Sequence, residues 1–167
     1  IDTIRYRLEL GKDVYESGRF RSGMIEELCT VMRNYKEIME GYRVDAYRAY
    51  GTSPFREAKN AQVAIGRVEQ STGMKISVLS NSEQRFLSYK SIAAMEADFQ
   101  KMIKKSTAIV DVGGGSMQVS LFDKDALVTT QNIRLGNLRI RERLQSLEKE
   151  TIHYEQLVEE FIHNELL

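Results

Sequence analysis

The sequence predicts an α/β fold, and three observations predict it. Short runs keep an apolar period of two, as in Ile4, Tyr6, Leu8 and Leu10 and again in Met117, Val119 and Leu121. A longer stretch keeps helical spacing through Met24, Ile25, Leu28, Met32, Tyr35, Ile38 and Met39. A strand pattern at 44–50 follows that helix closely enough for a strand–helix–strand crossover, which favours parallel pairing.

Each element can be justified in order. Residues 4–10 predict a half-buried strand, with Arg5, Arg7 and Glu9 on the wet face, and 11–22 a polar loop. Ser22 is the expected cap of the long helix, Glu26 and Glu27 suit its positive end, and Gly41 fits just beyond its close. After the strand at 44–50, Ser53 as cap and Pro54 at the first helical position open another helix. Ala61, Ala64, Ile65 and Val68 continue a helical face as far as Gly73, and Met74, Ile76 and Val78 predict a third strand. Ser80-Asn81-Ser82 then caps a long helix striped by Tyr89, Ile92, Met95, Phe99 and Met102. A buried strand over 108–112 runs into Gly113-Gly114-Gly115-Ser116, and the period stays at two beyond it. A tight turn at 122–126 leads to a strand at 127–133. Gly136 and Asn137 start a helix carrying Leu138, Ile140 and Leu144, and a last helix begins near Tyr154.

The whole chain sets bounds. Its 167 residues suffice for a core in one or two small domains. The 24 acidic and 24 basic side chains balance, which argues against a nucleic-acid or membrane-surface protein but not against local basic pockets. No apolar run reaches the roughly 18 residues of a membrane span and no signal peptide is visible, so the expected location is the cytoplasm. Cys29, the single cysteine, lies on an apolar helix face and is expected in the core. His153 and His163 lack partners at metal-ligand spacing and read as surface residues. Because Ile1 falls inside a strand pattern, the sequence is expected to be part of a longer chain.

Three places could carry chemistry. The 113–116 turn has no Cβ to keep an anion away from its glycines and leaves φ > 0 open, and Asp111 sits where a metal or phosphate site commonly begins. A dinucleotide fingerprint or Walker loop would feed a helix, and the latter would carry a lysine. Here Ser116, Met117 and a strand follow. The pattern suits a phosphate clip of the sugar-kinase and actin type, or a plain flexible hairpin. The turn before Pro54 offers backbone N–H groups, and Arg56 could grip a phosphate there or stand solvated on an ordinary capped helix. Glu83, in the first turn of its helix, could be a general base or a dipole partner.

Taken together, three stretches resemble one family. Residues 51–60 resemble its T-S-x-x-R-x-A-x-N segment, Ser80 to Tyr89 its S-G-x-E-E-A-R-L-x-Y segment, and Asp111 to Gln118 its D-I-G-G-G-S-T-E segment. The family is that of exopolyphosphatases and guanosine pentaphosphate phosphatases, within the actin-like ATPase superfamily. The resemblance implies a two-lobed actin-like (ribonuclease H-like) fold with phosphates held between the lobes. Residues 1–104 would be the remainder of the first lobe and 105–167 the beginning of the second. The first hairpin of lobe one and the later part of lobe two would lie outside this sequence.

The reaction implied is hydrolysis of a terminal phosphoanhydride, on inorganic polyphosphate or guanosine pentaphosphate, with Mg²⁺ or another divalent cation. A homodimer is one assembly to expect. Arg56 would hold a phosphate, Asp111 would help bind the metal, and Gly113, Gly114, Gly115 and Ser116 would donate hydrogen bonds. Where the family has its water-activating glutamate this sequence has Gln84. Gln118 likewise replaces a second acidic residue and Met117 a threonine. An amide cannot accept a proton from water at neutral pH, so either Glu83 substitutes or the chain binds without turnover. An actin-like ATPase or sugar kinase is a third reading. The first two readings require Arg56 and the glycine hairpin to serve a common oxyanion.

Overall fold

A computed structural model describes residues 3–95, 98–148 and 154–166, packed as two units, Ile1–Leu79 and Ser80–Leu167, each with its own core. In the first unit, residues 3–9 run without strand pairing, so the strand expected at 4–10 is not formed. Only the end of the alternating run turns inward, and Ile4 and Tyr6 are exposed. Leu8 and Leu10 pack on the core, Tyr6 meets Tyr35 edge-on with ring centroids 5.1 Å apart, and Tyr35 Oη donates to the Ile4 carbonyl at 3.2 Å. Leu10 opens α1 (Leu10–Ser17), which replaces most of the loop expected at 11–22. Leu10 and Val14 stand one turn apart, and Gly18 closes the helix at φ 73°, where a side chain would be strained.

In α2 (Ser22–Gly41), Ser22 is the first helical residue rather than its cap, and Gly41 lies inside the last turn, ahead of Tyr42. Ile25, Leu28 and Cys29 are buried, as the helical stripe predicts. The strand expected at 44–50 shrinks to β1 (Ala49–Gly51), because 43–48 are exposed and have no ladder partner. Thr52 precedes α3 (Ser53–Glu57), so Ser53 is helical and buried rather than a cap. Next, α4 (Ala61–Thr72) buries Ala64 and Val68 completely and ends at Gly73. β2 (Ile76–Val78) pairs with β1 in parallel from Ala49↔Ile76 to Gly51↔Val78. The parallel crossover therefore runs through α3 and α4, not through α2 as the sequence suggested.

The second unit opens with α5 (Asn81–Met95) and α6 (Phe99–Ile103). The one long helix expected here is thus two. Of its expected stripe, Tyr89, Ile92 and Phe99 pack with Ile103, Ile109 and Phe122, whereas Met95 and Met102 are exposed. β3 (Thr107–Val112), β4 (Met117–Asp123) and β5 (Ala126–Ile133) form an antiparallel meander, with Val112↔Met117 closing the glycine hairpin. Lys124 and Asp125, at φ 48° and 66°, make the next turn, as two-residue hairpins require. One face of the sheet, with Ile109, Asp111, Gln118, Ser120 and Phe122, is buried or half-buried. The other exposes Val110, Val112 and Leu121, so the strand expected to be buried over 108–112 is covered on one face only. α7 (Asn137–Glu148) and α8 (Tyr154–Leu166) begin where the sequence places them. His163 is exposed, and His153 lies outside the described residues. Among the described residues, no helix is long and apolar enough to cross a membrane.

Candidate functional site

In the second unit the site is built where α5 lies over the buried face of the meander. Ser80 and Glu83 form a reciprocal cap: the Ser80 N–H donates to Glu83 Oε2 at 2.8 Å, and the Glu83 N–H donates to Ser80 Oγ at 3.2 Å. Hydrogen bonds from the Ser80 backbone and then its hydroxyl hold the exposed Glu83 carboxyl below its ordinary pKa. Successive helical residues are about 100° apart, so the neighbour faces elsewhere. Gln84, Arg85, Ser88 and Tyr89 make the half-buried stripe. Ser88 Oγ donates to Asp111 Oδ2 at 2.9 Å, Arg85 Nη1 donates to Thr130 Oγ1, and the Tyr89 ring meets Phe122 edge-on. Gln84, one turn before Ser88, shares its face, while Glu83 stands off it.

Gln118 is directly opposite Asp111 in the β3–β4 ladder, which places both side chains on one face. It is 4 % exposed, and neither Oε1 nor Nε2 has a hydrogen-bond partner. On the first turn of α5, Asn81 Oδ1 is likewise buried and unpartnered. Asp111 and Gln118 Oε1 are hard oxygen donors on a single rung. They fit a cation such as Mg²⁺, which keeps several waters and takes further oxygens from phosphate. No cluster of three His, Cys, Asp or Glu residues occurs among the described residues, so the donor set is not a protein cage.

The glycine turn hangs on α7. The Gly113 N–H donates to the Ser116 carbonyl at 2.9 Å and narrows the hairpin. The Gly113 carbonyl accepts from the Asn137 N–H at 3.1 Å, and the Gly114 carbonyl from those of Leu138 and Arg139 at 3.0 Å each. Buried Arg139 adds Nε to the Gly115 carbonyl at 2.8 Å. The turn carbonyls thus satisfy the first amides of α7. The N–H groups of Gly114, Gly115 and Ser116 donate to no other described residue. The triplet does not use φ > 0; among the described residues only Gly18 and Gly73 do so among glycines. Close approach is the constraint instead. A Cβ on Gly136 would lie 2.3 Å from the Gly114 carbonyl carbon and oxygen.

Arg56 belongs to the first unit and is described there by itself. It is half-buried on α3, and Nη1 donates to the Leu79 carbonyl at 2.9 Å. The Leu79 N–H in turn donates to the Gly51 carbonyl at 2.9 Å, which extends the β1–β2 pairing. The guanidinium is therefore fixed at the carboxyl end of a parallel strand pair, where ligands of α/β sheets gather. Burial lowers its pKa, against the opposing pull of Glu57, yet a guanidinium stays charged in a protein.

Of the expected site residues, Asp111 and the Gln84 face of α5 lie in the unit that also holds Gly113 to Ser116, and Glu83 is committed to its cap. Sequence reasoning missed Ser88 and Arg139. Ser88 was legible as the residue one turn after Gln84. Arg139 had no signal, since nothing in its neighbours marks a buried arginine.

The mixed α/β chain has the partial two-lobed actin-like fold that its family resemblance implies, and a solved member of that family shares it. The chain belongs to the Ppx/GppA phosphatase family, which it matches over residues 1–166. The crystal structure of the Aquifex aeolicus member of that family is similar with a TM-score of 0.63 and 25% identity, over 95% of this chain and 50% of that one. Exopolyphosphatase 2 of Mycobacterium tuberculosis is 24% identical over 145 residues, which is 81% of this chain and 43% of that protein. A bifunctional 3-dehydroquinate synthase/phosphatase of Fusobacterium nucleatum is 23% identical over 138 residues, 81% of this chain and 20% of that protein. The chain thus spans less than half the length of these two curated relatives.

Proposed function

We propose that the protein containing this chain cleaves the terminal phosphoanhydride of a phosphate chain, either inorganic polyphosphate or the 5′ end of guanosine pentaphosphate. The observation that carries this reading is the 113–116 turn. Its glycine carbonyls are taken up by α7, and the N–H groups of Gly114, Gly115 and Ser116 remain to meet an oxyanion. In the first unit, Arg56 is a pre-oriented guanidinium of the kind that grips a phosphate group. Mg²⁺, held by Asp111, would neutralise part of the polyanion charge. Water must then be aligned with the scissile bond by the half-buried face of α5.

Gln84 stands on that face and cannot take the proton. Glu83 could, but its carboxylate is spent on the Ser80 amide and stands off the stripe. This observation favours a second reading in which the site binds its substrate and turns it over slowly. The test is phosphate release from polyphosphate by the full-length protein with Mg²⁺. Gln84→Glu is expected to raise release on the order of 10²-fold, the usual worth of a general base. Glu83→Gln is expected to leave release within about twofold, because glutamine also closes a capping box. Abolition by Glu83→Gln would make Glu83 the base. Substrate binding without release, even from Gln84→Glu, would leave the binding reading alone.

A further inference from the structure

We propose that the Gln118 carboxamide is a binding group of this site, with Nε2 donating to a phosphate oxygen and Oε1 accepting from the water shell of the accompanying cation. The inference rests on the phosphate reading above and goes beyond it in assigning this side chain and its consequence for metal dependence. Gln118 is 4 % exposed and both of its polar atoms lack a partner. An amide buried in that state is unfavourable at both ends, and an apolar side chain of similar length would remove the cost. Its neighbour across the ladder is Asp111, which Ser88 ties to α5, so the amide stands beside the one carboxylate of the site.

The chemistry of the group selects the ligand. A carboxamide offers one acceptor and one double donor, whereas a carboxylate only accepts. A phosphate chain paired with a hydrated cation presents the complementary set: oxyanions that accept and cation-bound waters that donate. A carboxylate at 118 would repel the oxyanion and grip the cation harder. With an amide there, polyphosphate binding should depend less on the divalent ion.

Polyphosphate binding by the full-length protein is to be measured by calorimetry with Mg²⁺ and with a chelator, beside thermal unfolding. Gln118→Leu is expected to raise Tm, since two unsatisfied atoms are removed, and to weaken polyphosphate about tenfold or more, the worth of a hydrogen bond to a charged group. Gln118→Glu is expected to widen the gap between the two Kd values at least about tenfold, as a carboxylate ligand to Mg²⁺ would. Unchanged affinity in Gln118→Leu, whatever its Tm, overturns the inference while the phosphate reading stands. Failure of the unmutated protein to bind polyphosphate in either condition overturns both.

Discussion

Gly136 is the residue on which the glycine turn depends most. A Cβ there would overlap the Gly114 backbone at 2.3 Å, whereas a Cβ on Gly114 meets only Leu138 Cβ at an ordinary 3.6 Å. Backbone cannot swing aside as a side-chain end can. Gly136→Ala should therefore cost about 1–3 kcal/mol in a urea melt, as overpacked positions do, and Gly114→Ala much less. Arg139 acts on the same turn from behind. In Arg139→Met the Gly115 carbonyl loses its Nε donor, which should cost about 1–3 kcal/mol by the same melt. It should also speed amide exchange at 113–116. A similar melt with unaltered exchange would place the cost elsewhere in α7.

Among the elements, α5 owes its start to the Ser80–Glu83 cap. Ser80→Ala should cost about 1 kcal/mol and fray the first turn, seen as faster exchange at Glu83 and Gln84. The Glu83 carboxyl is depressed in the folded chain, so its contribution is complete above the unfolded value near ~4.3 and is lost as pH falls through the lower folded value. Helical signal from α5 should therefore weaken below that point, and Glu83→Gln should remove the dependence. The strands of the meander were legible from the period of two and from Lys124-Asp125, which accept the left-handed turn. The alternating Met117, Val119 and Leu121 nonetheless mark the less buried face, and Gln118, Ser120 and Phe122 are the buried residues. Alternation failed at 4–10 because it does not report whether a neighbour supplies the ladder. Leu8 and Leu10 do pack inward, and α1 takes the chain before any strand can pair. Ser53 looked like a cap but lies inside α3, where its hydroxyl donates to Glu57 Oε1 at 2.8 Å. The site was legible as residue types around Asp111 and the glycines. It was not legible as a partnership, since Ser88 and Arg139 reach it only through tertiary packing.

At the scale of the whole molecule, the sheet of the second unit has two unequal faces. Phe122 is 8 % exposed and packs with Tyr89, Phe99 and Ile103. On the other side Val110 and Val112 are 54 % and 58 % exposed. Phe122→Ala should accordingly cost about 3–5 kcal/mol in denaturant unfolding of the chain. Val110→Thr should change stability by less than about 0.5 kcal/mol, as substitutions at exposed positions do. A large loss from Val110→Thr would mean that this face is covered.

The bonds from the glycine turn to α7 also impose an order of assembly. The two strands flanking the turn can pair as soon as both have left the ribosome. The turn reaches its final shape only after Asn137, Leu138 and Arg139 have emerged as well. A nascent chain halted at the end of β5 would therefore hold a finished hairpin with an unset tip. The oxyanion grip would come into being late in synthesis, when the helix behind it winds up.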